Sequence, residues 1–298
     1  MRRRAGRGRA GPGAGFRRRW LVPGVCALVL LGLTHPLRPG PAALLDSVEG
    51  RLSVATWNMC GVRQWNCEGT GTGAAKVRAL ERLAVTEGAR VIMLQEACSG
   101  DLAAARSALG AGWNTTFVPY AVQDAAGRRT EVRCAGAGTA GLAILALSSL
   151  TGVSVVPAPQ PAAGLHRGIV CATAADLAVR VCNAHLSLPG AGRDREFRGD
   201  QLASLVGAAD RRTVFGGDLN SAPPGPGDRD SWIWPYAAYR TYRECDQASA
   251  ASRGGRATHR TGHKVDYLFT ALPRTRCSVA GTGASDHLAL VMRVGIRG

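Results

Sequence analysis

Short apolar runs alternate along the chain with polar breaks rich in Gly, Pro, Ser and Thr, and the spacing inside each run sorts it into strand or helix. Arg51 to Asn58, Val91 to Glu96, Thr115 to Tyr120, Thr139 to Leu147, Val153 to Val156, Ile169 to Thr173 and Leu177 to His185 read as strands. So do the run that opens at Val214 and ends at Asp218, then Lys264 to Thr270 and Leu288 to Val294. Gly73 to Glu87 repeats Val77, Leu80, Leu83 and Ala84 at helical spacing, and Asp101 to Leu109 also reads as a helix. Arg193 to Ala209 is the clearest helix, with Phe197, Leu202, Leu205 and Val206 on one side. Ala121 to Gly138 is polar and charged and is expected to be an exposed loop, and Ala222 to Gly262 is mostly irregular. The mixture predicts an α/β domain with no internal repeat and no second boundary beyond residue 46.

Six of the strands carry a polar residue at or beside their end. These are Asn58, Glu96, His185, the Asp218 and Asn220 pair, Asp266, and Asp286 with His287 just before the last strand. In V-F-G-G-D-L-N-S-A-P, residues two apart share a face, so Asp218 and Asn220 emerge together; Gly216 and Gly217 would let the backbone approach a ligand. Any one of these positions alone is an ordinary turn former or cap. Together, oxygen ligands suit a hard cation, and two histidines that titrate near neutrality add proton carriers. Metal plus acid and base is phosphoester chemistry.

Composition adds an address. An apolar content of 46% excludes a disordered chain, and the net charge of +16 is uneven. Residues 1–45 hold nine Arg and no acidic residue, which leaves +7 for residues 46–298. The apolar run Trp20 to Thr34 is short for a membrane span but suits a signal peptide or signal anchor behind a basic tail. Residues 46–298 then form the exported domain, secreted or held outside the membrane. Eight cysteines remain once Cys26 in the apolar run is set aside, an even number without C-x-x-C spacing, which suits disulfides. Cys171 and Cys182 are equidistant from the Asp176-Leu177 turn, so a symmetric hairpin sets them opposite, and nearness to the last strands predicts a Cys245 to Cys277 bridge.

The ordered set T-W-N, L-Q-E, N-A-H-L, G-G-D-L-N-S-A, K-V-D-Y-L-F and S-D-H-L-A-L resembles the endonuclease/exonuclease/phosphatase superfamily, which includes deoxyribonuclease I and the neutral sphingomyelinases. The resemblance runs from Leu52 to Val294. It implies a four-layer α/β sandwich, two mostly antiparallel sheets face to face with helices outside. It also implies roles: Glu96 as principal metal ligand with Asn58 and Asp286 beside it, Asp218 orienting the attacking water, and Asn220 holding water and phosphate. His287, oriented by Asp266, would contact the phosphate, His185 would protonate the leaving oxygen, and Arg167 would be a further phosphate contact. Glu131 is the candidate acidic partner of His185.

The function implied is a Mg²⁺-dependent phosphodiesterase, with Mn²⁺ or Ca²⁺ as alternative ions, acting as a monomeric extracellular nuclease on nucleic acid. A phospholipid phosphodiesterase is the alternative, with Trp232, Trp234 and Tyr236 as a membrane-contacting loop. A catalytically inactive binding module on the same fold is the reading of another class.

Overall fold

The computed structural model describes residues 50–62, 65, 67, 69–190, 196–223, 239 and 241–297. The basic tail and apolar run, and Trp232, Trp234 and Tyr236, lie outside the described residues. In chain order the elements are β1 (Arg51–Asn58), α1 (Gly73–Val85), β2 (Ala89–Cys98), α2 (Ser99–Leu109), β3 (Asn114–Pro119), β4 (Ala121–Gln123), β5 (Arg129–Glu131), β6 (Ala140–Ala146) and β7 (Leu150–Val155). They continue with β8 (Gly164–His166), β9 (Gly168–Ala174), β10 (Val179–His185), α3 (Arg198–Gly207), β11 (Thr213–Asp218), β12 (Arg243–Glu244), β13 (Asp266–Thr270), β14 (Arg274–Ala280) and β15 (Ala289–Gly295).

Two six-stranded sheets form the body, in the orders β14-β15-β1-β2-β6-β3 and β12-β13-β11-β10-β9-β7. Each is antiparallel except for one central parallel pair, β1 with β2 and β10 with β11. Parallel neighbours need a crossover, and α1 and α3 supply it. The consequence is positional: β1, β2, β10 and β11 deliver their carboxyl ends, with Asn58, Glu96, His185 and Asp218, to one place.

Alternation along the strands builds the layers. Leu52, Val54, Val91, Met93, Val179, Val181 and Val214 fill the core between the sheets. Their odd-and-even partners Ala55, Trp57, Ile92 and Leu94 pack on Leu80, Leu83, Leu102 and Leu109 of α1 and α2. Cys182, Ala184 and Phe215 pack on Leu202 and Leu205 of α3. Strands covered on both faces lose polar alternation, which is why they read as unbroken apolar runs. This is the four-layer α/β sandwich with outer helices.

Several elements differ from the sequence expectation. Ala121 to Gly138 is not a plain loop: β4 and β5 pair there, and β4 also pairs with β8 in a small third sheet. β14 was not foreseen, because its R-T-R-C-S-V-A has no apolar period; as an edge strand beside β15 it is only partly buried. Gly216 and Gly217 serve strand approach rather than ligand approach. Both have positive φ, and a Cβ on either would collide with the carbonyl of Tyr267 or of Ala184 in the neighbouring strands.

Four disulfides join Cys60 to Cys67, Cys98 to Cys134, Cys171 to Cys182 and Cys245 to Cys277. Cys182 stands opposite Cys171 in the β9–β10 register, with Cα atoms 4.0 Å apart. No helix among the described residues is long and apolar enough to cross a membrane.

Candidate active site

Strand register lines up the chemistry. In the second sheet His185 pairs with Asp218 and Asp218 with Asp266, so three ionisable groups share one rung across β10, β11 and β13. In the first sheet Asn58 stands opposite Gln95. Period two would send Glu96 away from Gln95 and toward the helices. A bulge prevents this: the β2–β6 register shifts between Leu94 and Ala97, and Glu96 takes φ +50°. Left-handed backbone at a residue with a Cβ is strained, and it turns the carboxylate into the site.

Asp218 is the hub. Asn58 donates through Nδ2 to Glu96 Oε1 and to Asp218 Oδ2, both at 3.0 Å. His185 Nε2 lies 3.4 Å and His287 Nε2 3.9 Å from Asp218 Oδ2. The Asn220 N–H donates to Asp218 Oδ1 at 2.9 Å, and the Asn220 side chain donates to the Leu186 carbonyl at 2.8 Å. Asn220 itself sits at φ +48°. His287 Nδ1 and Asp266 Oδ2 are 2.9 Å apart.

The electrostatics divide the two histidines. Burial and the Arg167 cation pull His185 down to about 3, so it is neutral at ordinary pH. Burial alone would lower His287 as well, but the Asp266 carboxylate, by charge and hydrogen bond, pushes it up to about 10. Burial opposes ionisation of Asp218, yet His185, His287 and the Asn58 amide hold the carboxyl below its usual range. Since His185 is neutral, His287 is the facing charge. Burial raises Glu96 to about 7, only partly offset by the Asn58 hydrogen bond. Asp286 is held low by His259 and His287 against its burial.

A cavity of about 1070 Å³ opens over these groups, lined by Glu96, Arg167, His185, Asp218, Asn220, Asp286 and His287 among others. All the strand-end residues singled out in the sequence therefore converge, though Asn58 and Asp266 are not in the cavity wall and meet Asp218 and His287 from behind it. One expectation needs correction. Glu131 is not the partner of His185: it is exposed on β5, and the Nδ1 of His185 meets the Tyr120 hydroxyl at 2.8 Å instead. Arg167 lines the cavity, and its Nε donates to His185 Nε2 at 3.1 Å. With Nε2 accepting, the neutral imidazole carries its proton on Nδ1, facing the Tyr120 oxygen.

Further residues complete the site. Gln95 and Asn183 join the sheets beneath it, with Gln95 Nε2 donating to Asn183 Oδ1 at 2.6 Å and Asn183 Nδ2 donating to the Leu94 and Ala143 carbonyls. Asn183 stands two residues before His185, so the strand period signals that it shares its face. Lys76 is buried behind the site and donates to the carbonyls of Met59, Thr70 and Ala284. His259 and Arg260 line the cavity from an irregular loop, where no periodicity announces them.

A hard divalent cation fits the first-sheet side. Glu96 is a buried carboxyl that accepts from the Asn58 amide and, among the described residues, has no positive side chain in contact, and Asp286 adds a second carboxylate to the same cavity. Asn58 meets Glu96 through nitrogen, while its Oδ1 accepts from the Cys60 N–H at 2.9 Å. It reaches a cation through oxygen only if the carboxamide turns, so in this arrangement it orients Glu96.

The geometry defines a polar, metal-ready cleft at the carboxyl ends of two βαβ units, and the sequence places it in a family. The Endonuclease/Exonuclease/phosphatase family model matches residues 55–287, and the chain belongs to that family of phosphoester hydrolases. Among solved structures it is similar to an endonuclease/exonuclease/phosphatase from Beutenbergia cavernae DSM 12333, at 22% identity over 83% of this chain and 72% of that one, with a TM-score of 0.61. D. rerio TDP2 complexed with a single strand DNA product is similar at 14% identity, over 82% of this chain and 98% of that one, with a TM-score of 0.55. The human Nocturnin catalytic domain with bound sulfate anion is similar at 15% identity, over 82% and 93%, with a TM-score of 0.55. At these identities the likeness is one of fold. No curated protein matches the sequence.

Proposed function

We propose that the protein is an exported, metal-dependent phosphodiesterase that cleaves nucleic acid. The observation that carries this reading is the convergence on Asp218 Oδ2 of Asn58, His185 and His287 at 3.0, 3.4 and 3.9 Å, at the base of a cavity walled by Glu96 and Arg167. An ionised carboxylate in that position aligns a water and draws its proton. Asn220 fixes Asp218 through its backbone N–H and presents the rest of its carboxamide to water and phosphate. His287, kept protonated by Asp266, contacts the phosphate oxygens. His185 gains a proton to hand to the leaving oxygen only when a bound phosphate draws Arg167 off its Nε2. Glu96 and Asp286, with Asn58 orienting, would hold Mg²⁺, or Mn²⁺ or Ca²⁺ in its place, and the ion supplies neutralisation of the nonbridging oxygens.

The basic charge of the chain and the DNA product bound to one fold relative support a nucleic-acid substrate. Four disulfides support an oxidising, extracellular setting. Leu188, 58% exposed at the cavity lining, favours the phospholipid reading as second. Incubation with supercoiled DNA, RNA and sphingomyelin vesicles, with Mg²⁺ or with chelator, tests the assignment. Chelator-sensitive cleavage of DNA or RNA is expected; cleavage of sphingomyelin alone would move the protein to the lipid branch, and no cleavage of any diester would leave a binding module.

A further inference from the structure

His259 has no part in the hydrolysis just described, yet it is placed with care. It faces His287 across an isolated antiparallel bridge. The flanking bonds run from the Arg260 N–H to the Asp286 carbonyl at 2.9 Å and from the Leu288 N–H to the Thr258 carbonyl at 2.7 Å. The two histidines are therefore a non-hydrogen-bonded pair, the type that brings side chains closest on one face. Their rings meet edge to face with centroids 4.6 Å apart. Asp286 Oδ2 lies 3.3 Å from His259 Nε2. One donor atom from each of His259, Asp286 and His287 lies within 4.8 Å of the other two.

Each ring has a partner at Nδ1. His287 Nδ1 faces Asp266 Oδ2 at 2.9 Å, whereas His259 Nδ1 faces Thr261 Oγ1 at 2.8 Å and accepts from the Thr261 N–H at 3.3 Å. Each Nε2 is left as the ligand atom; in His259 it carries the ring proton toward Asp286, and metal binding needs that proton on Nδ1, facing the Thr261 hydroxyl oxygen. A tetrahedral ion with bonds of about 2.0 to 2.1 Å spaces its ligands roughly 3.3 Å apart, the separation already present between His259 and Asp286. Two imidazoles with one carboxylate suit zinc and its neighbours, whereas the oxygen set around Glu96 suits a hard ion.

We propose that His259, Asp286 and His287 bind one first-row transition-metal ion of the Zn²⁺ class, with the fourth position open to the cavity. On binding, the ion takes the Nε2 lone pairs of both histidines: the proton on His287 Nε2 leaves to solvent, and the one on His259 Nε2 passes to its Nδ1. Because Asp286 and His287 also serve the hydrolytic site, zinc opposes the Mg²⁺-supported reaction; that consequence rests on the proposed function, while the binding itself does not.

The test uses the full chain and the metal alone. One equivalent of Co²⁺ should give the ligand-field absorption of a four-coordinate site, which Zn²⁺ removes and excess Mg²⁺ does not. His259→Ala should abolish the signal. Thr261→Val, in an exposed turn, should weaken Co²⁺ affinity about 10- to 100-fold with the fold intact, and Glu96→Gln should leave the signal unchanged. A signal that survives His259→Ala, that is lost in Glu96→Gln, or that never reaches one equivalent overturns the site. In cleavage assays zinc should inhibit the native protein at concentrations that spare Thr261→Val. If no diester is cleaved, the hydrolytic reading fails while the Co²⁺ titration still decides the site.

Discussion

In β1-α1-β2 the strand ends carry Asn58 and Glu96, and in β10-α3-β11 they carry His185 and Asp218; the two units share one topology and hold their charges in opposite ways. Glu96 reaches the site through a bulge and a left-handed residue, flanked by the Cys60 to Cys67 and Cys98 to Cys134 bridges. Burial lifts it to about 7, and the Asn58 hydrogen bond and the charges of His287 and Arg167 offset this only in part. Asp218 reaches the site along a regular strand and is held ionised by what surrounds it. One half thus presents an acid that gains most from an added cation. The other is an internally compensated network, to which the proposed function gives the positioning of water and proton.

The largest effect should come from breaking the compensated half. Asp218→Asn keeps the shape of the strand end and removes the group that takes the water proton, so kcat should fall about 10²- to 10⁴-fold with the melting temperature nearly unchanged. Survival of native cleavage in this variant would remove Asp218 from the chemistry. Asp266→Asn should cost about 10- to 100-fold, acting through His287. Removing the carboxylate takes away what raises His287, so its pKa falls from about 10 and the alkaline limb of the pH–rate curve moves to lower pH. A merely structural Asp266 would lower activity without moving that limb. In the cation-ready half, Glu96→Gln should raise the Mg²⁺ needed for half-maximal activity about tenfold. Metal-free protein should melt at a lower temperature than the Mg²⁺-loaded protein, since a cation that binds the folded chain stabilises it and a buried carboxyl without one is unfavourable.

The two halves also differ in how far the sequence disclosed them. Apolar strands with Asn58, His185 and Asp218 as their last residue, and Asp266 as the first of its own, were legible because regular pairing keeps period two intact at those ends. Glu96 was legible as a strand end, but its direction was not, since a bulge is set by the pairing partner and leaves no mark in V-I-M-L-Q-E. Glu131 is the carboxylate the sequence offers His185, while Tyr120, the residue after β3, supplies a phenol instead. His259 was silent for another reason: its place depends on a single bridge to His287 across an irregular segment.

The smallest effect concerns His185 and the stability of the compensated half at low pH. Folding holds this imidazole neutral down to about 3, whereas its ordinary value is 6.5. Below pH 6.5 the unfolded chain takes up a proton that the folded chain refuses. Its contribution is therefore fully present above that pH and is lost as pH falls toward 3. Burial is the main cause and Arg167 the second, so Arg167→Met should raise the folded value toward the unfolded one and narrow the window. Melts of both proteins at neutral pH and at mildly acidic pH measure this. In a domain of this size about 1 kcal/mol moves the melting temperature by roughly 2 to 4 °C, so the native protein should lose a few degrees more than the variant on acidification. Equal losses would mean that Arg167 does not act on His185 through charge, and that their 3.1 Å contact only positions the guanidinium in the cavity wall.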